Sequence, residues 1–381
     1  MLYRKFGKTG EMVSILGFGT MRLPLMKDSN GDTKKIDEVE AIRILRHGID
    51  NGINYIDTAY PYHGKMSEII TGKALADGYR EKVMLATKLP TWLILESADC
   101  DKYLNEQLEK LGTDHIDVYL VHALNSERWA KMKAVNVTAF LDRAKLEKKI
   151  RFAGFSFHGT PEAFREILDS YEWDMCQLQY NYMEGPEWSD AVKYAAKKGI
   201  AVVVMEPLLG GKLAKKLPDE AMKIFERTTS GKSAANWGLQ WLFDQKEISV
   251  VLSGMTYMRQ VSENIKIAKL GYADSLNPAE KDAYVDVKKI IKAMTKVRCT
   301  ACEYCMPCPS GVNIPEVFDI YNQSGVYSSL EESQDAYKGL KVNNSGADKC
   351  VECGACEPKC PQNIEIINSL KEAKVNLDVQ G

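Results

Sequence analysis

The chain has 381 residues, of which 45% are hydrophobic and 27% are charged, and its formal net charge at pH 7 is -2. This composition is ordinary for a soluble globular protein, and the near-neutral charge gives no electrostatic reason to bind nucleic acid or an anionic membrane. No apolar run approaches the roughly 20 residues that a membrane-spanning helix needs, and the N-terminus lacks a signal-peptide pattern, so we expect a cytoplasmic protein.

The chain opens with a predicted β-hairpin, and strand-like segments then alternate with helix-like segments as far as residue 270. Eight such units in about 270 residues match the size of a closed (β/α)8 TIM barrel. An open doubly wound sheet is the alternative, but the glycine turn that it needs is incomplete after Gly17-Phe-Gly19. The predicted strands cover residues 15–19, 53–57, 83–87, 116–121, 151–157, 175–179, 201–205 and 249–252.

The helical segments lead to a change of character near the C-terminus. One helix is predicted over residues 126–148, and the last barrel helix is predicted near 257–270. Residues 272–296 are polar and helical in pattern, and a cysteine-rich tail begins at Cys299. We therefore predict a barrel domain over 1–285 and a small, mainly α, ferredoxin-like domain over 286–381, with a boundary accurate to a few residues.

Four polar residues stand at or just beyond the ends of consecutive predicted strands: Asp57, Tyr62, Lys88 and His122. In a parallel barrel these strand ends share the face on which the fold places its chemistry. Reduction of a carbonyl by hydride leaves an alkoxide, and a tyrosine can donate the proton that it needs. A nearby lysine favours the phenolate and lowers the tyrosine pKa, while an aspartate holds the lysine in place. The histidine can orient the substrate oxygen through a hydrogen bond.

The segment Asp57-Thr-Ala-Tyr-Pro-Tyr62 and its continuation to Glu68 resemble the signature of the aldo-keto reductases, with His63 inserted before Gly64. By this resemblance, the four residues form the catalytic group of a (β/α)8 barrel. Tyr62 would then act as general acid in reduction and as general base in oxidation.

The resemblance also implies a nicotinamide nucleotide pocket that departs from the family pattern. Phe157 replaces an asparagine that normally follows Ser156, and Met205 stands where a tyrosine usually stacks on the nicotinamide ring. Gln260 occupies the place of the arginine that meets a 2′-phosphate. These departures leave NADPH, NADH and a flavin open as cofactors. The implied cofactor-binding residues are Gly19, Thr20, Ser156, Gln177, Met205, Leu208, Gly210, Ser253, Gly254, Met255, Gln260, Glu263 and Asn264.

Eight of the ten cysteines follow residue 298 and form two runs, each ending in proline. The second run has the spacing of bacterial ferredoxins, and the first is one residue shorter in its last gap. The pattern predicts two 4Fe-4S clusters, whereas structural zinc normally uses two Cys-x-x-Cys pairs separated by a spacer. In two-cluster ferredoxins the last cysteine of each run binds the other cluster. By that analogy, the ligand sets are Cys299, Cys302, Cys305 and Cys360 for one cluster and Cys350, Cys353, Cys356 and Cys308 for the other.

Together, the two halves resemble the iron–sulfur branch of the aldo-keto reductases. The first hypothesis is an oxidoreductase that reduces an aldehyde or ketone, or oxidises an alcohol, with NAD(P)H. Its clusters would exchange electrons with a carrier or stabilise the tail. The second is a flavin-linked electron-transfer enzyme with a ferredoxin as partner, because flavins perform both hydride and one-electron chemistry. The third places a redox-sensing or docking module on an inactive barrel.

Overall fold

The computed structural model describes residues 1–27, 33–215, 217–299, 305–326, 330–360 and 362–378. They form two compact units, one of Met1–Leu209 with Gly238–Leu276 and the other of Gly210–Trp237 with Asn277–Gly381. The second unit therefore combines the C-terminal tail with a segment that precedes the last barrel strand. The domain boundary near residue 285 stays a prediction, and that position lies inside a helix of the second unit.

The strands in the described part of the chain form a closed eight-stranded barrel and two antiparallel hairpins. In the barrel, every strand pairs in parallel with the barrel strands before and after it in the sequence, and the last pairs with the first. The predicted barrel is thus confirmed. The strands are β1 (Tyr3–Lys5), β2 (Met12–Ser14), β3 (Leu16–Gly19), β4 (Leu25–Lys27), β5 (Thr33–Ile36), β6 (Tyr55–Asp57), β7 (Met84–Leu89), β8 (Ile116–Leu124), β9 (Ile150–Phe157), β10 (Met175–Gln179), β11 (Ala201–Met205) and β12 (Ile248–Ser253).

Helices provide most connections between barrel strands and most of the second unit. The barrel strands are β3 and β6 to β12, whereas β1–β2 and β4–β5 are the hairpins. The helices are α1 (Glu38–Asp50), α2 (Ser67–Leu75), α3 (Ser97–Leu111), α4 (Ser126–Ala134), α5 (Val137–Leu146), α6 (Pro161–Asp169), α7 (Pro186–Lys197), α8 (Lys212–Lys215), α9 (Asp219–Thr228), α10 (Ala234–Phe243), α11 (Met258–Ala268), α12 (Pro278–Ala293), α13 (Ile314–Val326), α14 (Leu330–Val342) and α15 (Ile366–Leu377).

The barrel interior is apolar and closed at one end. Strands such as β7 and β12 are buried along their whole length, as is typical of parallel strands covered on both faces. Interior residues such as Tyr55 and Val203 belong to a core cluster that includes Phe6 and Val13 from the first hairpin. The hairpin therefore closes the amino-terminal end of the barrel, and the carboxyl ends of the strands remain available for a site.

Two parts of the barrel differ from the sequence prediction. The single helix predicted over residues 126–148 is wrong, because α4 ends at Ala134 and α5 begins at Val137. Asn136 separates them in a left-handed conformation (φ 54°), which asparagine tolerates better than most residues. The hairpin β4–β5 was also not predicted, since this stretch was interpreted as a loop before the first helix.

The second unit is mainly α, as predicted for the tail. Phe225 of α9 stacks on Trp237, with ring centroids 4.3 Å apart, and Tyr284 of α12 packs edge-on against Trp237 at 5.3 Å. A separate core that includes Phe318 and Leu370 is formed by α13, α14 and α15. Nowhere in the described segments is there a helix both long enough and apolar enough to cross a membrane.

Candidate functional site

Asp57, at the end of β6, and Lys88, in β7, form a buried ion pair at the carboxyl ends of the strands. Lys88 Nζ lies 2.7 and 2.8 Å from the two carboxylate oxygens of Asp57 and 2.8 Å from the carbonyl oxygen of Thr58. A lysine ammonium has three donors and no acceptor, so its two contacts with Asp57 require acceptors on both carboxyl oxygens.

The protonation of this pair follows from opposing effects. Burial lowers the pKa of Lys88, but the charges of Asp57 and Tyr62 and their hydrogen bonds outweigh burial and raise it. Burial also raises the pKa of Asp57, against the opposing effect of Lys88. The first shift favours a charged pair and the second a neutral carboxyl. The two short contacts from Lys88 to Asp57 favour the ion pair. If the carboxyl group of Asp57 were protonated, its O–H would point at an ammonium group that has no acceptor.

Tyr62 lies in an irregular loop that accommodates the inserted His63. Three consecutive residues, His63, Gly64 and Lys65, adopt left-handed conformations with φ of 51°, 61° and 74°. Such conformations cost a non-glycine residue on the order of 1 kcal/mol or more. His63 Nε2 accepts a hydrogen bond from the backbone N–H of Leu23 at 3.2 Å, which ties this loop to the chain after β3. The insertion is thus absorbed in the loop without breaking the strands.

The ring of Tyr62 lies beside the ammonium of Lys88. Lys88 Nζ is 5.2 Å from the centroid of the tyrosine ring. Burial raises the pKa of Tyr62 above its usual value, while the charge of Lys88 acts to lower it. Lys88 therefore acts in the predicted direction, but the predicted net lowering is wrong, because burial outweighs the lysine. At neutral pH Tyr62 is protonated, which is the form that donates a proton.

His122, in β8, completes the group of four. Its ring centroid lies 6.4 Å from that of Tyr62 and 5.1 Å from that of Trp92. Burial, followed by the charge of Lys88, holds the pKa of His122 well below its usual value. Its Nδ1 is buried and has no hydrogen-bond partner among the described residues. A neutral imidazole at this position can donate one hydrogen bond to a substrate oxygen without transferring the proton.

A buried hydrogen-bond network lies behind Lys88, and of its members only Glu68 belongs to a sequence motif. Glu68 Oε1 accepts hydrogen bonds from Thr87 Oγ1 at 2.7 Å and from Gln107 Nε2 at 2.5 Å. Gln107 Nε2 also lies 3.1 Å from the carbonyl oxygen of Lys88, and Tyr119 donates to Gln107 Oε1 at 2.7 Å. Gln107 of α3 therefore fixes the backbone of β7 at Lys88.

Three predicted nucleotide-binding residues lie on adjacent strands of the barrel. Ser156 of β9 pairs in register with Gln177 of β10, and Gln177 Nε2 lies 3.6 Å from Met205 Sδ. Ser156 Oγ accepts a hydrogen bond from the backbone N–H of Ala123 at 2.7 Å. Gln177 is 1% exposed, and its Oε1 has no partner among the described residues. A buried carbonyl without a donor is costly, and the carboxamide of a nicotinamide ring offers the missing N–H groups. This part of the pocket fits the predicted cofactor.

The predicted phosphate end of the pocket lies where β3 and β12 meet. A Cβ atom added to Gly19 would lie 3.7 Å from the carbonyl oxygen of Ser253, and Ser253 Oγ accepts a hydrogen bond from Asn264 Nδ2 at 3.0 Å. A Cβ added to Gly254 would lie 3.1 to 3.2 Å from side-chain carbons of Arg22. Arg22, which no sequence motif singles out, therefore lies beside the predicted phosphate-binding turn.

The remaining predicted nucleotide-binding residues differ in their surroundings. Thr20 is buried and donates a hydrogen bond to the carbonyl oxygen of Asp57 at 3.1 Å. Gln260 Oε1 accepts hydrogen bonds from the backbone N–H groups of residues 256 and 257, at 2.8 and 3.1 Å, so it caps α11. Only its Nε2 is left for a 2′-phosphate. The other predicted residues are Met255, which is buried, Glu263, in α11, Leu208, which follows β11, and Gly210, which belongs to the second unit.

The cysteines of the tail gather around its helical core. Cys302 lies outside the described residues. Of the others, Cys353 is exposed. The rest are partly buried against the core formed by α13, α14 and α15, and they are Cys299, Cys305, Cys308, Cys350, Cys356 and Cys360.

One cavity in this unit is lined by thiols from both cysteine runs. Its lining includes Cys308 from the first run together with Cys350, Cys353 and Cys356, and Cys305 also reaches it. Within the described ranges, no three metal-ligating side chains converge on the position of a single ion. Cysteines from both runs at one cavity are the donor type that iron–sulfur clusters use.

The profile of the Aldo/keto reductase family matches residues 15–277. The chain belongs to this family. A second profile, that of a 4Fe-4S dicluster domain, matches residues 298–365 of this aldo-keto reductase. The resemblance stated from the sequence is confirmed for both halves, and the protein is an oxidoreductase with an iron–sulfur domain.

Relatives of this aldo-keto reductase act on different small molecules. It is 28% identical over 284 residues to the L-galactose dehydrogenase of Arabidopsis thaliana, covering 69% of this chain and 86% of that protein. It is 28% identical over 311 residues to the NADH-specific methylglyoxal reductase of Escherichia coli (strain K12), covering 71% of this chain and 94% of that protein. The holo form of the aldo-keto reductase AKR11C1 from Bacillus halodurans is similar in structure. Its TM-score is 0.62 at 25% identity, covering 75% of this chain and 96% of that chain.

Proposed function

We propose that this aldo-keto reductase transfers hydride between NAD(P)H and a small carbonyl or alcohol, with Tyr62 as the proton donor in reduction. The observation that carries the proposal is the assembly of Tyr62, Lys88 and His122 around the buried ion pair with Asp57. Three neighbouring strands and one loop supply these groups, in an arrangement suited to protonating an alkoxide.

Each of the site residues has a separate role in this mechanism. A bound nicotinamide would supply the hydride. Gln177 and Ser156 would hold its carboxamide, while Ser253 and Gly254 would bind phosphate through their backbone N–H groups, with Arg22 beside them. The N–H of neutral His122 would orient the carbonyl oxygen. Tyr62 would then donate its proton to that oxygen, and the charge of Lys88 would stabilise the phenolate that remains.

The thiols of the tail would hold two 4Fe-4S clusters in the crossed arrangement of two-cluster ferredoxins. The cavity supports a site shared by both runs, because Cys308 lies there with Cys350, Cys353 and Cys356, and Cys305 of the other proposed set also lines it. The other set would be Cys299, Cys302, Cys305 and Cys360. Such clusters supply one-electron transfer. The exposure of Cys353 suits exchange of electrons with a carrier such as a ferredoxin.

The first experiment is an anaerobic purification of the full chain with assays of iron, sulfide and released cofactor. About eight irons and eight sulfides per chain would support two clusters. Titration with NADH and NADPH and turnover of short aldehydes would then test the hydride reaction. Release of a flavin would replace the nicotinamide proposal with flavin-linked electron transfer. Zinc in place of iron would contradict the cluster assignment.

The crossed ligand sets can be tested by iron content. Cys308→Ser and Cys353→Ser should each lose about half of the iron, and the double variant should lose no more than that half, because both thiols serve one cluster. Combining Cys308→Ser with Cys299→Ser should remove iron from both clusters. If each run instead held its own cluster, the second double variant would keep half of the iron. Ser310→Ala, which alters the same cavity without removing a thiol, is the matched control.

A further inference from the structure

Arg128 is held next to the catalytic histidine by the start of α4. This helix begins two residues after β8, and the Asn125 side chain caps it by accepting a hydrogen bond from the backbone N–H of Arg128 at 2.8 Å. Arg128 Nη1 donates a hydrogen bond to the carbonyl oxygen of Ala123 at 2.8 Å. Ala123 directly follows His122 and has a positive φ of 53°. The guanidinium is therefore fixed to the backbone turn that carries His122.

His158 lies at the same mouth of the barrel, directly after β9. Its backbone N–H donates a hydrogen bond to the carbonyl oxygen of Leu124 at 2.8 Å, which ties the ends of β8 and β9 together. His158 is exposed at the surface, yet partial burial lowers its pKa, and the charge of Arg128 lowers that pKa further. The charge of Arg128 also acts on His122, as does that of His158. The guanidinium of Arg128 and the backbone of His158 are thus both fixed to the two residues that follow His122, at the mouth of the proposed site.

The guanidinium of Arg128 keeps most of its donors available. It carries five N–H donors, and its bond to Ala123 uses one. No carboxylate forms an ion pair with Arg128 among the residues that the structure describes. The acidic neighbour in this region is Glu206, after β11, whose charge acts on His158 and Tyr62. A planar fork of unused donors at the mouth of an active site matches the geometry of a carboxylate.

We propose that Arg128, assisted by the imidazole N–H of His158, binds a carboxylate of the substrate while the substrate carbonyl contacts Tyr62 and His122. The substrate class is then small oxo acids and aldehyde acids, or the corresponding hydroxy acids in the oxidation direction. This inference rests on the proposed function of the barrel site, and it adds the anionic group by which that site selects its substrate.

The kinetic test compares 4-carboxybenzaldehyde with its methyl ester in the full chain. The wild type should prefer the acid in kcat/KM, and Arg128→Gln should lower the acid-to-ester ratio about 10- to 100-fold, the range of a charge-assisted hydrogen bond. Arg128→Lys should restore part of the ratio, because it keeps the charge but loses the fork. Arg165→Gln, an exposed arginine on α6, is the matched control and should leave the ratio unchanged. A disturbed His122 would slow both substrates alike and leave the ratio intact.

A binding test separates this inference from the proposed function. Calorimetry should detect benzoate but not benzamide on the wild type, with or without NAD⁺, and Arg128→Gln should weaken benzoate binding by the same factor. Benzoate binding that depends on Arg128 would support the inference even if no aldehyde were reduced, in which case the proposed function alone would fail. The inference would be overturned if the wild type and Arg128→Gln reduced the two aldehydes with the same acid-to-ester ratio of kcat/KM. It would also be overturned if the wild type did not bind benzoate. Either result would leave the proposed function in place.

Discussion

A buried carboxylate lies at each end of the barrel, and the two are paired differently. At the amino end, Asp117 of β8 is 2% exposed and accepts contacts at 2.8 Å from both Arg80 and Arg151, together with the backbone N–H of Leu85 at 2.9 Å. At the carboxyl end, Asp57 pairs with one cation, Lys88, and the ammonium of Lys88 lies beside the ring of Tyr62.

The two pairs differ in whether a group that can exchange a proton lies beside them. Two guanidinium groups do not lose protons at any physiological pH, so the pair around Asp117 is a fixed structural element. The ammonium of Lys88 lies against a phenol that can donate its proton, so the charge of the pair around Asp57 also acts on a reaction. This division agrees with the general division of labour between the two ends of such barrels.

The largest effect is expected from Lys88→Met, which leaves the carboxylate of Asp57 buried and unpaired. Breaking such a pair lowers the free energy of unfolding by about 3–5 kcal/mol. Carbonyl reduction should be lost as well, because the phenolate of Tyr62 loses its cation. Chemical denaturation of the anaerobic protein and aldehyde turnover measure the two effects. The double variant with Asp57→Asn should recover stability but not activity. A single variant as stable as the wild type would contradict the ion pair.

Tyr62→Phe should affect the reaction and leave the fold intact. Removing the proton donor should lower kcat for aldehyde reduction by about 10²- to 10⁴-fold, since this is the usual contribution of general acid catalysis. The melting temperature should stay close to that of the wild type. Tyr60→Phe is the control, because the Tyr60 hydroxyl donates to Glu106 at 3.1 Å and should not affect turnover. Equal turnover by Tyr62→Phe and the wild type would disprove the assignment.

Asp117→Asn should give the opposite result, with a loss of stability and no loss of chemistry. The substitution removes the charge that holds Arg80 and Arg151, and we expect the free energy of unfolding to fall by about 2 kcal/mol. The kcat for aldehyde reduction should stay close to the wild-type value, because this pair lies at the far end of the barrel. A large fall in kcat with unchanged stability would remove the contrast between the two ends.

The pH dependence of the two reaction directions gives the smallest but most specific effect. Because the pKa of Tyr62 is raised and that of His122 is well below its usual value, both keep one protonation state across the neutral range. Reduction uses protonated Tyr62 and should therefore be flat from about pH 7 to 9, whereas oxidation uses the phenolate and should rise about tenfold per pH unit. Steady-state rates in both directions test this. An oxidation rate that levels off near neutrality would mean that burial does not dominate the pKa of Tyr62.

The sequence was sufficient for the barrel and for the placement of four polar residues at its mouth, because both depend on local patterns. Buried parallel strands appear as short apolar runs, and a polar residue at the end of such a run is placed by the strand itself. Asp57 and Lys88 could be assigned in this way. The break at Asn136 could not, since the helical pattern continues across it and only the left-handed backbone of one residue interrupts it.

The supporting residues could not be predicted, because their roles depend on contacts between distant segments. Gln107 is a polar residue in a helix until the fold places it against Glu68 and the backbone of Lys88. Arg22 and Arg128 read as ordinary surface cations in the sequence. The net direction of the Tyr62 pKa shift was also out of reach, because burial depends on the whole barrel mouth rather than on one neighbouring lysine.

The composition of the second unit limits where the chain can be truncated and where its gene can recombine. Its helices α9 and α12 come from chain segments separated by the last barrel strand, and Tyr284 of α12 packs against Phe225 of α9 and against Trp237, which are both fully buried. A gene shortened after residue 276 would encode every barrel strand but would strip Tyr284 from these rings. The exposed aromatic surface would favour aggregation. The second unit is therefore built from two stretches of chain on either side of the last barrel strand, and recombination at one junction would not transfer both stretches.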